Sequence, residues 1–168
     1  MFFDYFYSIL TAPGVVVHEL AHAFFCVVSG VRIRRICLFR FNRVAGYVAH
    51  DEPRGFLSSF LISFGPLIIN SYLAMWLFTK VAAPYGWLDL FFLWLGLAVA
   101  LQAIPSTGDA QSLLQNANRN ILRHPLKILF YPLVLALYIL NLLKRFYFDI
   151  VYAVFLFYIA RHYFILYI

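Results

Sequence analysis

Long apolar runs separated by short polar, mostly basic stretches set the pattern of this chain. A helix needs about 20 consecutive apolar residues to cross the ~30 Å hydrocarbon core of a bilayer. Five runs approach that length. They cover 5–29, with Pro13-Gly14 as a kink or restart; 56–79; 87–104, stopping at Pro105; 126–143, with Pro132 inside; and 146–168, interrupted by Asp149, Arg161 and His162. The pattern predicts a single domain over 1–168, an all-α polytopic membrane bundle of about five transmembrane helices. Between the first two runs the periodicity changes. Val31, Ile33, Ile36 and Leu38 mix with arginines in partial alternation, Arg40-Phe41-Asn42-Arg43 reads as a turn, and Val44-Ala45-Gly46-Tyr47-Val48 follows. A short β-hairpin at the cytoplasmic face is expected there. A basic connecting loop held against anionic headgroups is the alternative.

Composition strengthens the membrane reading. Of 168 residues, 64% are hydrophobic and 12% charged, whereas soluble domains are about half apolar and about a quarter charged. The excess apolar surface has to meet lipid. A net charge of +6 could suit nucleic acid, but the basic residues lie in short loops between apolar runs, where membrane proteins place them. Nucleic acid is therefore not expected as a partner. Nine Lys and Arg follow the first and third runs (Arg32, Arg34, Arg35, Arg40, Arg43, Arg54, Arg119, Arg123, Lys127), against Lys80, Lys144 and Arg145 on the other side. Those two loops, with nine basic residues between them, should face the cytoplasm and the N-terminus the outside. Cys26 lies in an apolar run and Cys37 in a basic loop, so no structural disulfide is expected. The N-terminal MFFDYFY lacks the basic region of a cleavable leader, so the first run is read as part of the folded protein.

The candidate chemistry sits in that first run. His18-Glu19-Leu20-Ala21-His22 places two imidazoles one helical turn apart on one face, a spacing that can grip one Zn²⁺. Glu19 falls beside the metal, where it can act as general base toward a water and then pass the proton to a leaving amine. Three ionisable residues within five positions of an apolar helix are costly and point to function; a buried polar network joining helices is the other explanation. Hydrolytic zinc usually has a third protein ligand. Candidates are Asp109, Cys26, His50, His124, His162 and Asp149. Asp109 is the strongest, because it follows the third run and so approaches from the same side as the motif. Ser106-x-x-Asp109 also fits a capping box opening a helix over 110–122, and both roles can hold together.

With these residues in place, the chain resembles the site-2 protease family of intramembrane zinc metalloproteases, peptidase family M50. The resemblance covers about 11–115 and rests on four features in order: HELAH at 18–22, an amphipathic hairpin ending Gly46-Tyr47-Val48, Ser63-Phe64-Gly65-Pro66-Leu67-Ile68-Ile69-Asn70, and the turn from Pro105 to Asp109. It implies a catalytic core over about 11–115 with accessory helices over 126–168, zinc held by His18, His22 and Asp109, Glu19 as base, and Asn70 as a polar group near the site that contacts substrate or an oxyanion. The family's turn carries Asn where this chain has Gln102, and Gly after the Asp where this chain has Ala110; the turn here is also one residue shorter. Gly65, Pro66 and Asn70 also have an ordinary reading, as a helix kink and a helix–helix hydrogen bond.

The function expected is hydrolysis of peptide bonds in single-pass membrane proteins, with Gly46, Tyr47 and Val48 presenting a strand edge to an unwound substrate. A catalytically silent relative that binds or sequesters membrane proteins, and a membrane metal-binding protein, are the rival functions.

Overall fold

A computed structural model describes residues 2–40, 46–82, 86–118, 127–144 and 146–164. The first apolar run forms two helices and not one. Helix α1 (Phe2–Leu10) stops at Thr11, and α2 (Ala12–Val28) starts with Pro13 in its first turn, where a missing N–H has no helical partner to lose. The restart expected at Pro13-Gly14 is therefore a break. α2 ends where Gly30 takes φ 65°. The Gly30 and Val31 N–H groups then bond back to the Val27 and Cys26 carbonyls at 3.0 and 2.8 Å, satisfying carbonyls that the helix end leaves open.

The expected hairpin is present. Strands β1 (Ile33–Cys37) and β2 (Tyr47–His50) run antiparallel, with Ile36 opposite Val48 and Cys37 opposite Tyr47. Residues 41–45, which hold most of the expected turn and the start of the second strand, lie outside the described residues. A two-pronged pair from Arg34 to Asp51, at 2.6 and 3.1 Å, ties the open end. The Arg34 hydrogen bonds and charge hold the Asp51 carboxyl below its usual range.

Five further helices follow: α3 (Phe56–Thr79), α4 (Trp87–Leu101), α5 (Thr107–Asn118), α6 (Lys127–Lys144) and α7 (Phe148–Ile159), the last continuing into a π-helical turn over Ala160–Phe164. Asp89 starts α4, its carboxylate accepting the Gly86 and Ala82 N–H groups at 2.8 and 2.7 Å. α4 ends at Leu101, short of the expected 104, because Gln102 caps it and Pro105 follows. α5 begins three residues before the expected Ala110. At its start the Asp109 carboxylate accepts the Ser106 N–H at 2.9 Å and the Ser106 hydroxyl at 2.6 Å.

α2, α3 and α4 pack on one another as the central unit. Gly14 is what lets α2 approach α4: a Cβ there would lie 1.9 Å from the Ala98 carbonyl oxygen, so only a residue without one fits this contact. The main core joins Leu77 and Phe78 of α3, Val99 of α4, and Ala153 and Leu156 of α7. A second, smaller core joins Leu113 and Ala117 of α5 to Val134 and Leu137 of α6. Outward-facing positions are also apolar: Val27, Tyr72, Trp76, Leu129, Val151 and Phe155 are all half-exposed or more.

Of the five spans expected, one helix among the described residues, Phe56–Thr79, is long and apolar enough by itself to cross a bilayer. α2 and α4 are apolar but have 17 and 15 residues, giving lengths of about 26 and 23 Å at 1.5 Å per residue. Leu129–Lys144 and Phe148–Tyr163 meet the length only as a pair bent by 110°. The shortfall has local causes: the break at Thr11 divides the first run, Gln102 and Pro105 curtail the third, and Phe146 and Tyr147 interrupt helix between α6 and α7.

Candidate metal centre

His18 and His22 lie on the buried face of α2, 8% and 6% exposed. Their Nε2 atoms are 3.2 Å apart. Asp109, carried in by the first turn of α5, places Oδ2 3.3 Å from Nε2 of His22 and 3.9 Å from Nε2 of His18. These three residues form a group able to hold a metal ion. Zinc bonds of about 2.0–2.1 Å at tetrahedral angles put neighbouring ligand atoms about 3.3–3.4 Å apart, close to the observed spacings.

The ring orientations carry more information than the distances. Nδ1 of His18 donates to the Gln102 carbonyl at 2.6 Å, and Nδ1 of His22 donates to the Ile62 carbonyl at 2.9 Å. A carbonyl only accepts, so each Nδ1 carries the hydrogen. In the neutral rings both Nε2 atoms then present lone pairs, and they present them to each other and to a carboxylate oxygen. Three acceptors at 3.2–3.9 Å repel unless a proton or a cation sits among them. Carbonyls that fix the outer nitrogen of a histidine are the usual second layer of a metal site.

Each of those carbonyls is available for a structural reason. Ile62 is four residues before Pro66 inside α3. Gln102 caps α4 three residues before Pro105, and the N–H of Ser106, the next possible donor, goes to Asp109. Ile62 and Gln102 were not among the candidates from sequence, because they act through the backbone. For Ile62 the available signal was Pro66, whose missing N–H leaves the carbonyl four residues earlier without its helical partner.

Glu19 is 7% exposed and lines a cleft of about 730 Å³ together with His18, Gly46, Gln102 and Ser106. Lys144, Tyr147 and Asp149 at the α6–α7 junction also line this cleft, with Tyr7 and Thr11. Asp109 lines a second, smaller cavity of about 270 Å³ with His50, Ser59, Ser63 and Gln115. His18 thus lines the larger cleft and Asp109 the smaller cavity. Gly46, just before β2, touches Glu19, while Tyr47 and Val48 continue into the strand, and the Arg40 guanidinium lies 4.9 Å over the Tyr47 ring.

Asn70 is placed differently from expectation. It is fully buried, and its amide donates to the carbonyls of Gly14 and Val99, both at 3.2 Å. It ties α3 to α2 and α4, and with no exposed surface it cannot meet a substrate in this structure. The helix–helix reading of this residue is the one observed. Among the described residues, the other candidate ligands are not brought to the centre. Cys26 is a buried free thiol. The Nδ1 of His50 donates to the Asp51 carbonyl. His162 stacks on Tyr158 with centroids 5.5 Å apart. Asp149 accepts a hydrogen bond from Tyr7 at 3.3 Å, in the cleft but in another group. His124 lies outside the described residues. Gln102, the departure from the family turn, keeps a positioning part: its carbonyl orients His18 and its side chain donates to Thr11 at 3.1 Å.

Compared with known proteins, the chain matches no family model, no curated protein and no solved structure.

Proposed function

We propose that this protein is a zinc metalloendopeptidase of the membrane, of the site-2 protease kind, hydrolysing peptide bonds in single-pass membrane-protein substrates. One observation carries the reading: three acceptor atoms of His18, His22 and Asp109 converge at 3.2–3.9 Å with both imidazoles locked to present their Nε2 lone pairs. His18, His22 and Asp109 would hold the ion. A bound zinc supplies Lewis acidity toward a water and toward the scissile carbonyl. Glu19, next to His18 and facing the larger cleft, takes a proton from the attacking water and gives it to the leaving amine. Its burial keeps competing solvent away from the carboxylate. The β-hairpin offers a strand edge through Tyr47 and Val48 beside Glu19, to which an unwound segment can pair. The polar cavity behind Asp109 suits water entry from the loop side.

Membrane embedding in several spans is part of the same proposal. Its support is the 64% hydrophobic composition and the outward-facing aromatic and aliphatic residues on α2, α3, α4, α6 and α7, far more than a soluble monomer exposes. The bias of basic residues puts the hairpin loop and the loop before α6 on the cytoplasmic side.

The test is zinc per mole of detergent-purified protein, wild type beside His22→Ala, followed by cleavage of fluorescein-labelled casein with Glu19→Gln as control. About one zinc in the wild type, almost none in His22→Ala, and cleavage lost with zinc retained in Glu19→Gln are expected. Near-zero metal in both well-folded proteins overturns the reading. Zinc retained with cleavage untouched by Glu19→Gln overturns the assignment of the base.

A further inference from the structure

The proline of α3 has a consequence at the metal centre. In an unbroken helix the carbonyl of Ile62 would accept the N–H of residue 66; Pro66 has none, and its ring presses against that carbonyl. The freed oxygen accepts Nδ1–H of His22 at 2.9 Å. Pro66 is itself fully buried, as is Pro105, which stands three residues after the carbonyl that orients His18. We infer that Pro66 is a positioning residue for the centre: by withholding one backbone N–H it reserves the Ile62 carbonyl for His22, fixing the tautomer and rotamer that aim Nε2 at Asp109.

The inference rests on the metal site proposed above, and the experiment separates the two. Pro66→Ala restores an N–H that competes for the Ile62 oxygen. Introducing the α-hydroxy analogue of alanine at position 66 makes a backbone ester, with the same side chain and no N–H. The full chain in detergent is titrated with zinc against a chelator of known affinity, and Pro132→Ala, in the interior of α6, reports the general effect of removing a helix proline. In parallel, the metal-free protein labelled with ¹⁵N-histidine is examined by NMR for the tautomer of His22. Zinc affinity about 10- to 100-fold weaker in Pro66→Ala, the size of effect seen when an outer-shell partner is lost, is expected. The ester variant and Pro132→Ala should stay near wild type, and the Nδ1–H tautomer should dominate in wild type and ester but not in Pro66→Ala. Wild-type affinity and tautomer in Pro66→Ala overturn the inference. Equal loss in Pro66→Ala and the ester also overturns it, because the ring's packing and not the missing N–H would then be at work. Should the wild type bind no zinc, the metal reading fails while the tautomer comparison still decides the role of Pro66.

Discussion

Gly46 lies against Glu19. A Cβ at position 46 would stand 2.7 Å from Cγ of Glu19 and 2.9 and 3.1 Å from the carbonyl oxygens of Leu38 and Cys37. Gly46, just before β2, therefore lines the cleft at Glu19, and there is room at that point for hydrogen only.

Gly46→Ala should consequently displace Glu19, since two of the three neighbours are backbone atoms that cannot swing aside. An error of about 1 Å in placing a catalytic group costs on the order of a hundredfold in rate. Casein cleavage by Gly46→Ala is expected to fall about 10- to 100-fold in kcat with zinc content unchanged. A variant as active as wild type would mean that the hairpin does not position the base.

Asp109 has two duties that substitution can separate. Its carboxylate caps α5 through Ser106 and approaches both imidazoles. Asp109→Asn keeps an acceptor for the Ser106 N–H but loses the charge. Its zinc affinity should drop more than about tenfold while thermal stability of the metal-free protein stays near wild type. Asp109→Ala should lose the affinity and also about 1 kcal/mol of stability, the ordinary worth of a helix cap. Chelator titration and thermal unfolding of the two variants side by side check both parts.

Asn70 joins three helices by two hydrogen bonds inside the protein. Asn70→Ala removes both and leaves a small void, so a loss of about 1–3 kcal/mol is expected. Zinc stoichiometry of the protein that remains folded should be unaffected. A variant of normal stability with impaired cleavage would restore the substrate role that its position in the sequence suggested.

Gly14→Ala tests the closest approach between α2 and α4. A methyl placed 1.9 Å from the Ala98 oxygen forces the helices apart, and α2 carries both histidines. The expected outcome is a lower unfolding temperature together with weaker zinc binding, because the Gln102 carbonyl that orients His18 belongs to the end of α4. Unchanged unfolding and affinity would count against this packing.

The sequence by itself determined the local chemistry: a helix carrying His18, Glu19 and His22 on fixed faces, a hairpin after it, and an apolar chain with a basic bias in two loops. These depend on periodicity and spacing within a few residues, and the structure has the helix and the hairpin. Ser106-x-x-Asp109 was legible as a cap for the same reason. Tertiary structure decided the rest. That Asp109, 87 positions beyond His22, comes within 3.3 Å of it depends on how α5 leaves α4 and returns to α2. That Asn70 faces Gly14 and Val99, and not the cleft, depends on the rotation of α3 in the bundle. The division of the apolar runs into shorter helices depends on caps and breaks that an average over hydrophobicity does not register. The orienting carbonyls of Ile62 and Gln102 belong to the backbone, which every residue has. Pro66 marks in the sequence where the Ile62 carbonyl is left open, but only the packing of α2 against α3 and α4 determines which side chain arrives to use such a carbonyl.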